Sequence, residues 1–170
     1  MGCKVDGECP NGKIEIDGLV VRYGNFTAVD GISLTIPCKG IYGFLGPNGA
    51  GKTTAMRMLC GLSYPTSGTG TIAGLDVRKD GELIKRKIGY MSQRFSLYND
   101  LTVQENMRLY ASIYGLSKQE TDERSTQLLS RLNFLSERNT LVGSLPLGWK
   151  QKLSFAVATI HRPEIVFLDE

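Results

Sequence analysis

Residues 41–54 read IYGFLGPNGAGKTT and carry the strongest structural signal in the chain. The apolar run 41–45 predicts a strand, a glycine-rich turn follows it, and a helix is expected to begin near Lys52 and to include residues 54–62. Residues 46–53 match the pattern G-x-x-x-x-G-K-[ST] without deviation. A strand, a loop of this pattern and a helix, in that order, predict a phosphate-binding loop.

Each part of this loop has a chemical role in holding a nucleotide. Glycines let the backbone wrap closely, so that successive N–H groups point at phosphate oxygens, and the following helix adds its positive N-terminal end. Lys52 is expected to bridge the β- and γ-phosphates, and the Thr53 hydroxyl to bind Mg²⁺. The predicted nucleotide-binding residues of the loop are Gly46, Pro47, Asn48, Gly49, Ala50, Gly51, Lys52, Thr53 and Thr54.

Composition limits the classes of protein that this chain can be. It has 170 residues, a net charge of +3, 41% hydrophobic residues and 20 glycines, where about 12 are expected at average usage. Five of those glycines fall between Gly40 and Gly51, so the excess is local. The charge is too small to indicate nucleic-acid binding, and no run approaches the roughly 20 apolar residues that span a bilayer.

The four cysteines give no metal-binding pattern. Cys3, Cys9, Cys38 and Cys60 form no C-x-x-C pair, and no histidine lies close enough in sequence to complete a zinc site. Thiols in a reducing cytosol are therefore expected. A disulfide bond or metal clip between Cys3 and Cys9 is the alternative.

The remaining periodicity predicts an α/β architecture with a helical insertion. Strands are expected at 13–23, with Ile14, Ile16 and Val20 on the apolar phase, and at 31–36, 68–72 and 88–91. Thr102 with Glu105 and Ser117 with Glu120 form two capping boxes, which predict helices at 103–114 and 118–132. A third helix, 148–161, is expected to bury one face and to stop before Pro163; that face is Leu153, Ala156, Val157 and Ile160.

The last residues of the chain are acidic. The apolar run 165–168 predicts a buried parallel strand, which Asp169 and Glu170 follow. At the carboxyl end of a strand Asp169 would hold Mg²⁺ directly or through water, and Glu170 would act as general base on the attacking water. An apolar strand ending in two acids also occurs as plain topology, and the intact phosphate loop upstream favours the catalytic interpretation.

With these motifs the chain resembles the ATP-binding-cassette (ABC) ATPases from Lys13 to Glu170. The resemblance implies ATP as the nucleotide and a P-loop, RecA-like α/β core with an antiparallel β edge and an inserted α-helical subdomain. Tyr23, in VRYG, is similar to the residue that stacks on the adenine, although a plain strand-end tyrosine is also possible. Gln93, in YMSQ, resembles the catalytic glutamine of the Q-loop, which senses Mg²⁺ and the attacking water.

Two stretches refine this resemblance. Residues 93–106, QRFSLYNDLTVQEN, resemble the branch that exports drugs and polyketides through separate membrane permeases. The signature motif, usually Leu-Ser-Gly-Gly-Gln, is LPLGW at 145–149, so Gly148 is kept and would face the ATP of a second subunit. Trp149 is expected to anchor packing, which is compatible with that role. His161, the single histidine, is interpreted as a structural residue at a helix end.

The resemblance implies a domain plan and a function. Residues 1–12 are expected to form a flexible leader, 13–92 and 147–170 the ATPase core, and 93–146 the helical subdomain, with the domain incomplete at its C-terminus. The implied function is ATP hydrolysis for an exporter, at the cytoplasmic face of the membrane, with a second ABC subunit and a permease as partners and no nucleic acid. The alternatives are a soluble ABC ATPase acting on nucleic acid or ribosomes, and a nucleotide-binding fragment with little turnover.

Overall fold

The computed structural model describes residues 13–47, 49–92 and 96–169. The chain divides into two compact units, of which the first ends at Ile88 and the second begins at Gly89. Residues 1–12, for which a flexible leader is predicted, and residues 48, 93–95 and 170, which include Asn48, Gln93 and Glu170, lie outside the described residues.

The first unit is built on an antiparallel sheet with two helices. Its four strands lie in the order β2-β1-β3-β4. They are β1 (Ile14–Tyr23), β2 (Phe26–Ile36), β3 (Ser67–Ile72) and β4 (Leu75–Asp76), and the helices are α1 (Lys52–Leu59) and α2 (Gly81–Lys87). The antiparallel edge and the helix at Lys52 confirm the predictions, while β4 and α2 carry no clear periodic signal in the sequence.

Strand β1 departs from the predicted alternation at its centre. Ile14 and Ile16 are buried as expected, but Leu19 and Val21 are buried beyond them and Val20 is half-buried. The pairing register with β2 shifts between Ile16 and Leu19, which marks a β-bulge. Because an extra residue in one strand moves the following side chains to the opposite face, the assignment of Val20 to the buried phase is wrong.

The predicted strand at 41–45 is also wrong. The backbone of residues 40–47 has no regular secondary structure, and the side chains of Ile41 and Leu45 are 103% and 96% exposed. An apolar run becomes a parallel strand only where neighbouring strands accept its backbone hydrogen bonds and other elements cover its faces. Within the described residues no strand pairs with this run.

The second unit packs three helices around one apolar core, beside a two-stranded sheet of β5 and β6. Its elements are β5 (Ile88–Met91), α3 (Val103–Ile113), α4 (Lys118–Arg131), α5 (Leu147–Thr159) and β6 (Ile165–Leu168), with short 3₁₀ turns at Leu135–Glu137 and Val142–Ser144. Both capping boxes are formed at the starts of α3 and α4, as predicted. The predicted apolar face of α5 is buried, as Leu153, Ala156, Val157 and Ile160 show.

Strand β6 is less buried than the sequence suggests. Phe167 is buried, whereas Val166 and Leu168 are 39% and 50% exposed. The strand has one described neighbour, β5, so part of its apolar surface faces outward. The prediction of a buried strand is therefore correct for Phe167 alone.

Candidate phosphate-binding loop and metal-binding edge

The loop of the first unit turns sharply into helix α1 at Gly51. Gly51 is the N-cap, with a φ of 79° in the left-handed region, and its carbonyl accepts the first helical hydrogen bond from the N–H of Ala55 at 2.8 Å. One turn earlier, the N–H of Ala50 donates to the carbonyl of Pro47 at 3.2 Å. The described part of the loop is thus a tight turn that leads directly into the start of a helix.

Lys52 folds back over this turn. Its Nζ donates to the carbonyl oxygens of Gly46 and Pro47 at 2.6 and 2.7 Å. The ammonium group is therefore held against the loop by two carbonyls of the same loop. An anion entering there meets a positive charge that needs only a side-chain rotation to reach it.

The surroundings of the loop suit a phosphate group. Gly46, Pro47, Gly49, Ala50 and Thr53 are exposed. The first turn of α1 contains no acidic residue, so no carboxylate of that turn offsets the positive end of the helix dipole. Backbone amides, one ammonium group and a threonine hydroxyl are the donors and ligands that a metal-bound polyphosphate requires.

Tyr23 ends strand β1 at a hairpin turn. It pairs with Phe26 across the turn, and its side chain is 56% exposed. An exposed ring at this position is available for stacking on a base, and it also fits an ordinary strand-end tyrosine, so the role of Tyr23 stays a prediction.

Asp169 lies directly after strand β6 in the second unit and is held from two sides. Its side chain is 7% exposed, and its Oδ2 accepts a hydrogen bond from the hydroxyl of Tyr90 at 3.0 Å. Its backbone N–H donates to the carbonyl of Met91 at 2.9 Å. Both partners belong to β5, so the neighbouring strand fixes the backbone and the carboxylate of Asp169 together.

Sequence reasoning missed the contributions of Tyr90 and Asn106. Asn106, on α3, has no exposed surface; its Nδ2 donates to the carbonyls of Tyr98 and Thr102, and its Oδ1 accepts from the N–H of Tyr98. It thereby holds the segment that precedes α3. A polar residue on the buried phase of an amphipathic helix was the signal that could have identified it.

The start of helix α5 presents the altered signature motif. Pro146 is the N-cap, and Gly148 is exposed, with nothing within 4 Å of the position a Cβ would take. The ring of Trp149 packs against Phe134 with centroids 4.8 Å apart, and Nζ of Lys152 lies 4.9 Å from the Trp149 ring centroid. The expected packing role of Trp149 is confirmed.

His161 makes an aromatic contact that the sequence did not predict. Its ring stacks on Tyr114 with centroids 3.7 Å apart and an angle of 8° between the planes. Helix α5 ends at Thr159, two residues before His161, so His161 lies beside a helix end as expected.

Asp169 and Thr53 carry oxygen groups of the type that binds Mg²⁺. Among residues 13–47, 49–92 and 96–169, no group of three or more His, Cys, Asp or Glu side chains is arranged to hold a metal ion. Mg²⁺ commonly takes one or two protein oxygens and completes its shell with phosphates and water. The carboxylate of Asp169, buried and oriented in the second unit, and the hydroxyl of Thr53 in the first unit are each oxygen ligands of this kind. Gln93 and Glu170, predicted to act beside them, lie outside the described residues, as does Asn48 of the loop.

No helix in the described portion of the chain is both long and apolar enough to cross a membrane.

The first unit has a G-x-x-x-x-G-K-[ST] loop that leads into a helix, with an antiparallel sheet beside it, and the second unit has an aspartate directly after a strand. These features define a P-loop nucleotide-binding protein. A family model described as ABC transporter matches residues 29–170. The chain belongs to this ABC transporter family, which confirms the resemblance and the expected fold class.

Three relatives have names that refer to transport or resistance. The chain is 38% identical over 166 residues to the probable multidrug ABC transporter ATP-binding protein YbhF of Escherichia coli (strain K12), covering 98% of this chain and 29% of that protein. It is 35% identical to the daunorubicin/doxorubicin resistance ATP-binding protein DrrA of Streptomyces peucetius, over 95% of this chain and 49% of that one. It is 40% identical to the bacitracin transport ATP-binding protein BcrA of Bacillus licheniformis, over 92% and 50%. The chain thus spans half or less of the length of these relatives.

A solved structure gives the same result for the fold. The structure described as the ATP binding subunit of an ABC transporter superposes with a TM-score of 0.82 at 27% sequence identity. The match covers 92% of this chain and 65% of that one.

Proposed function

We propose that this chain is the ATP-binding and ATP-hydrolysing part of an ABC exporter that powers a separate membrane permease. The observation that carries the proposal is the loop before α1, where Nζ of Lys52 is held 2.6 Å from the carbonyl of Gly46 at the mouth of a helix without acidic residues in its first turn. A positive side chain and backbone amides at one turn are suited to a polyphosphate.

Different residues of this chain have different roles in binding and hydrolysing ATP. Residues 46–54 bind the phosphates, and among them Lys52 stabilises the negative charge on the transferred γ-phosphoryl group. Tyr23 stacks on the adenine. Thr53, Asp169 and Gln93 hold the metal ion or its water, and Glu170 orients or deprotonates the attacking water. Mg²⁺, when bound, neutralises charge on the phosphate oxygens.

The partners follow from the family and from the exposed start of α5. Gly148 is exposed, and helix α5 begins beside it at Leu147, so its first N–H groups can approach a γ-phosphate bound by a second ABC subunit. The names of the relatives refer to multidrug transport, daunorubicin/doxorubicin resistance and bacitracin transport. By analogy we assign a permease as the second partner and the cytoplasmic face of the membrane as the location.

Nucleotide-dependent dimerisation tests the proposal. The Glu170→Gln variant should bind ATP without hydrolysing it, so light scattering after gel filtration in Mg-ATP is expected to give about twice the 18.7 kDa of one chain. The double variant Lys52→Ala/Glu170→Gln is the matched control and should stay monomeric. A Glu170→Gln protein that is monomeric at saturating Mg-ATP, or a dimer that forms equally without ATP, contradicts the proposal.

Co-purification distinguishes the exporter from the soluble alternative. The tagged chain, isolated from detergent-solubilised membranes of the cells that encode it, should carry a polytopic membrane protein encoded beside it. Recovery with ribosomes or RNA, and loss of that material after nuclease treatment, would instead favour a soluble ABC ATPase.

A further inference from the structure

We propose that Tyr90 is a positioning residue for the metal-binding carboxylate, acting through its hydrogen bond to Asp169. This inference rests on the proposed function, since it assumes that Asp169 serves Mg²⁺ bound with ATP. It adds a residue outside the phosphate loop and the acidic end that the sequence motifs identify.

The geometry singles out the hydroxyl of Tyr90. It donates to Oδ2 of Asp169 at 3.0 Å across 79 residues of sequence. Asp169 is 7% exposed and Tyr90 is half-buried, so bulk water competes weakly for this bond. The residue after Tyr90 also contributes, because the carbonyl of Met91 accepts the backbone N–H of Asp169 at 2.9 Å.

Two bonds from one strand restrict two different motions of Asp169. The backbone bond to Met91 fixes where the Cα lies at the end of β6. The hydroxyl bond fixes rotation of the carboxylate plane, a torsion that is otherwise broad. A carboxylate whose plane is set before metal binding loses less freedom when it ligates the ion or its water, which is how outer partners of a ligand raise metal affinity.

The same strand leads to the predicted catalytic glutamine. Tyr90 lies three residues before Gln93 in sequence. Tyr90 therefore lies on the strand that precedes the predicted catalytic glutamine along the chain.

The test measures metal binding and not only turnover. In the full chain with saturating ATP, Mg²⁺ is titrated while the melting temperature is followed, and Mn²⁺ binding is measured in parallel by electron paramagnetic resonance. For Tyr90→Phe we expect the half-saturating metal concentration to rise about three- to tenfold, because a hydrogen bond to a charged group is lost. Tyr64→Phe removes an exposed hydroxyl in the first unit and should match the wild type.

A double-mutant cycle identifies the residue through which Tyr90 acts. In an Asp169→Asn background, Tyr90→Phe should change metal affinity less than twofold, because its target is already altered. ATP affinity without metal should be similar in the wild type and Tyr90→Phe, and each metal titration is read against that protein's own melting temperature without metal, because loss of the hydrogen bond to Asp169 also lowers stability. An equal loss in both backgrounds, or a Tyr90→Phe protein with wild-type metal affinity, overturns the inference. If the wild type itself shows no metal-dependent ATP binding, the proposed function fails instead.

Discussion

Gly51 lies so close to Ala28 that a Cβ atom on the glycine would be 2.2 Å from the Ala28 carbonyl oxygen. The same residue caps helix α1 with a φ of 79°. Two independent constraints, one from backbone conformation and one from close packing on strand β2, thus act at the last glycine of the phosphate loop. The sheet and the loop are built against each other at this point.

Substitution of the two loop glycines separates these constraints. Gly49 has a φ of 84° and nothing within 4 Å of its Cβ position, so Gly49→Ala should cost only the left-handed strain, about 1–2 kcal/mol. Gly51→Ala adds the clash with Ala28 and should cost about 2–5 kcal/mol in total. Urea denaturation of both variants measures the difference. Equal free energies of unfolding would mean that the contact with Ala28 does not constrain the loop.

The two capping boxes predict a specific acid sensitivity. Hydrogen bonds from the backbone and side chain of Thr102 lower the pKa of Glu105, and those of Ser117 lower the pKa of Glu120. A carboxyl group whose folded pKa lies below its unfolded value of about 4.3 stabilises the fold above that value, and this stability is lost as pH falls through the folded pKa. The wild type should therefore lose melting temperature as pH is lowered from about 5 to 3.

Replacing the two capping-box carboxylates with neutral amides tests this prediction. Glu105→Gln/Glu120→Gln keeps side-chain acceptors for both caps but no ionisable group there, so its melting temperature should fall less steeply over the same pH range. Gln127→Ala changes an exposed neutral side chain on α4 outside the capping box and should keep the slope of the wild type. A double variant with an unchanged acid slope would show that the caps do not titrate with folding.

The buried side-chain amide of Asn106 is expected to contribute strongly to the stability of the fold. Its Nδ2 lies within hydrogen-bond distance of the carbonyls of Tyr98, Leu101 and Thr102, and its Oδ1 accepts from the N–H of Tyr98. Asn106→Ala leaves these backbone groups without their partner in a buried place and should destabilise by about 2–4 kcal/mol. The exposed Asn99, substituted in the same way, should change stability by no more than about 0.5 kcal/mol. Similar losses for both variants would contradict the assigned role of Asn106.

Features of the fold that depend on residues close in sequence were predicted correctly. Features that depend on contacts between distant residues were not. The capping boxes and the start of α1 depend on residues three or four positions apart, so their patterns were sufficient. The apolar run 41–45 had the composition of a strand, but a strand also needs neighbours, and composition does not contain them. The bulge in β1, which moved Val20 off the buried phase, depends on pairing with β2.

The candidate site shows the same division. The glycine-lysine motif predicted the phosphate loop because its chemistry is contained in eight consecutive residues. The contact of Tyr90 with Asp169 joins residues 79 positions apart, and no pattern in either segment indicates it. The contact of Gly51 with Ala28 likewise depends on how α1 packs against β2 and is invisible in the sequence.

Calorimetric titration of Mg-ATP into the wild type and Lys52→Ala tests the nucleotide-binding role of the loop. Lys52 donates to the carbonyls of Gly46 and Pro47, and under the proposed function it turns to the phosphates when ATP binds. We expect the wild type to bind Mg-ATP and Lys52→Ala to bind at least about tenfold more weakly, because charge-assisted hydrogen bonds are lost. Lys85→Ala, which removes an exposed ion pair with Glu82, should bind as the wild type does. Equal affinity of Lys52→Ala and wild type, or no binding by the wild type, would contradict the account.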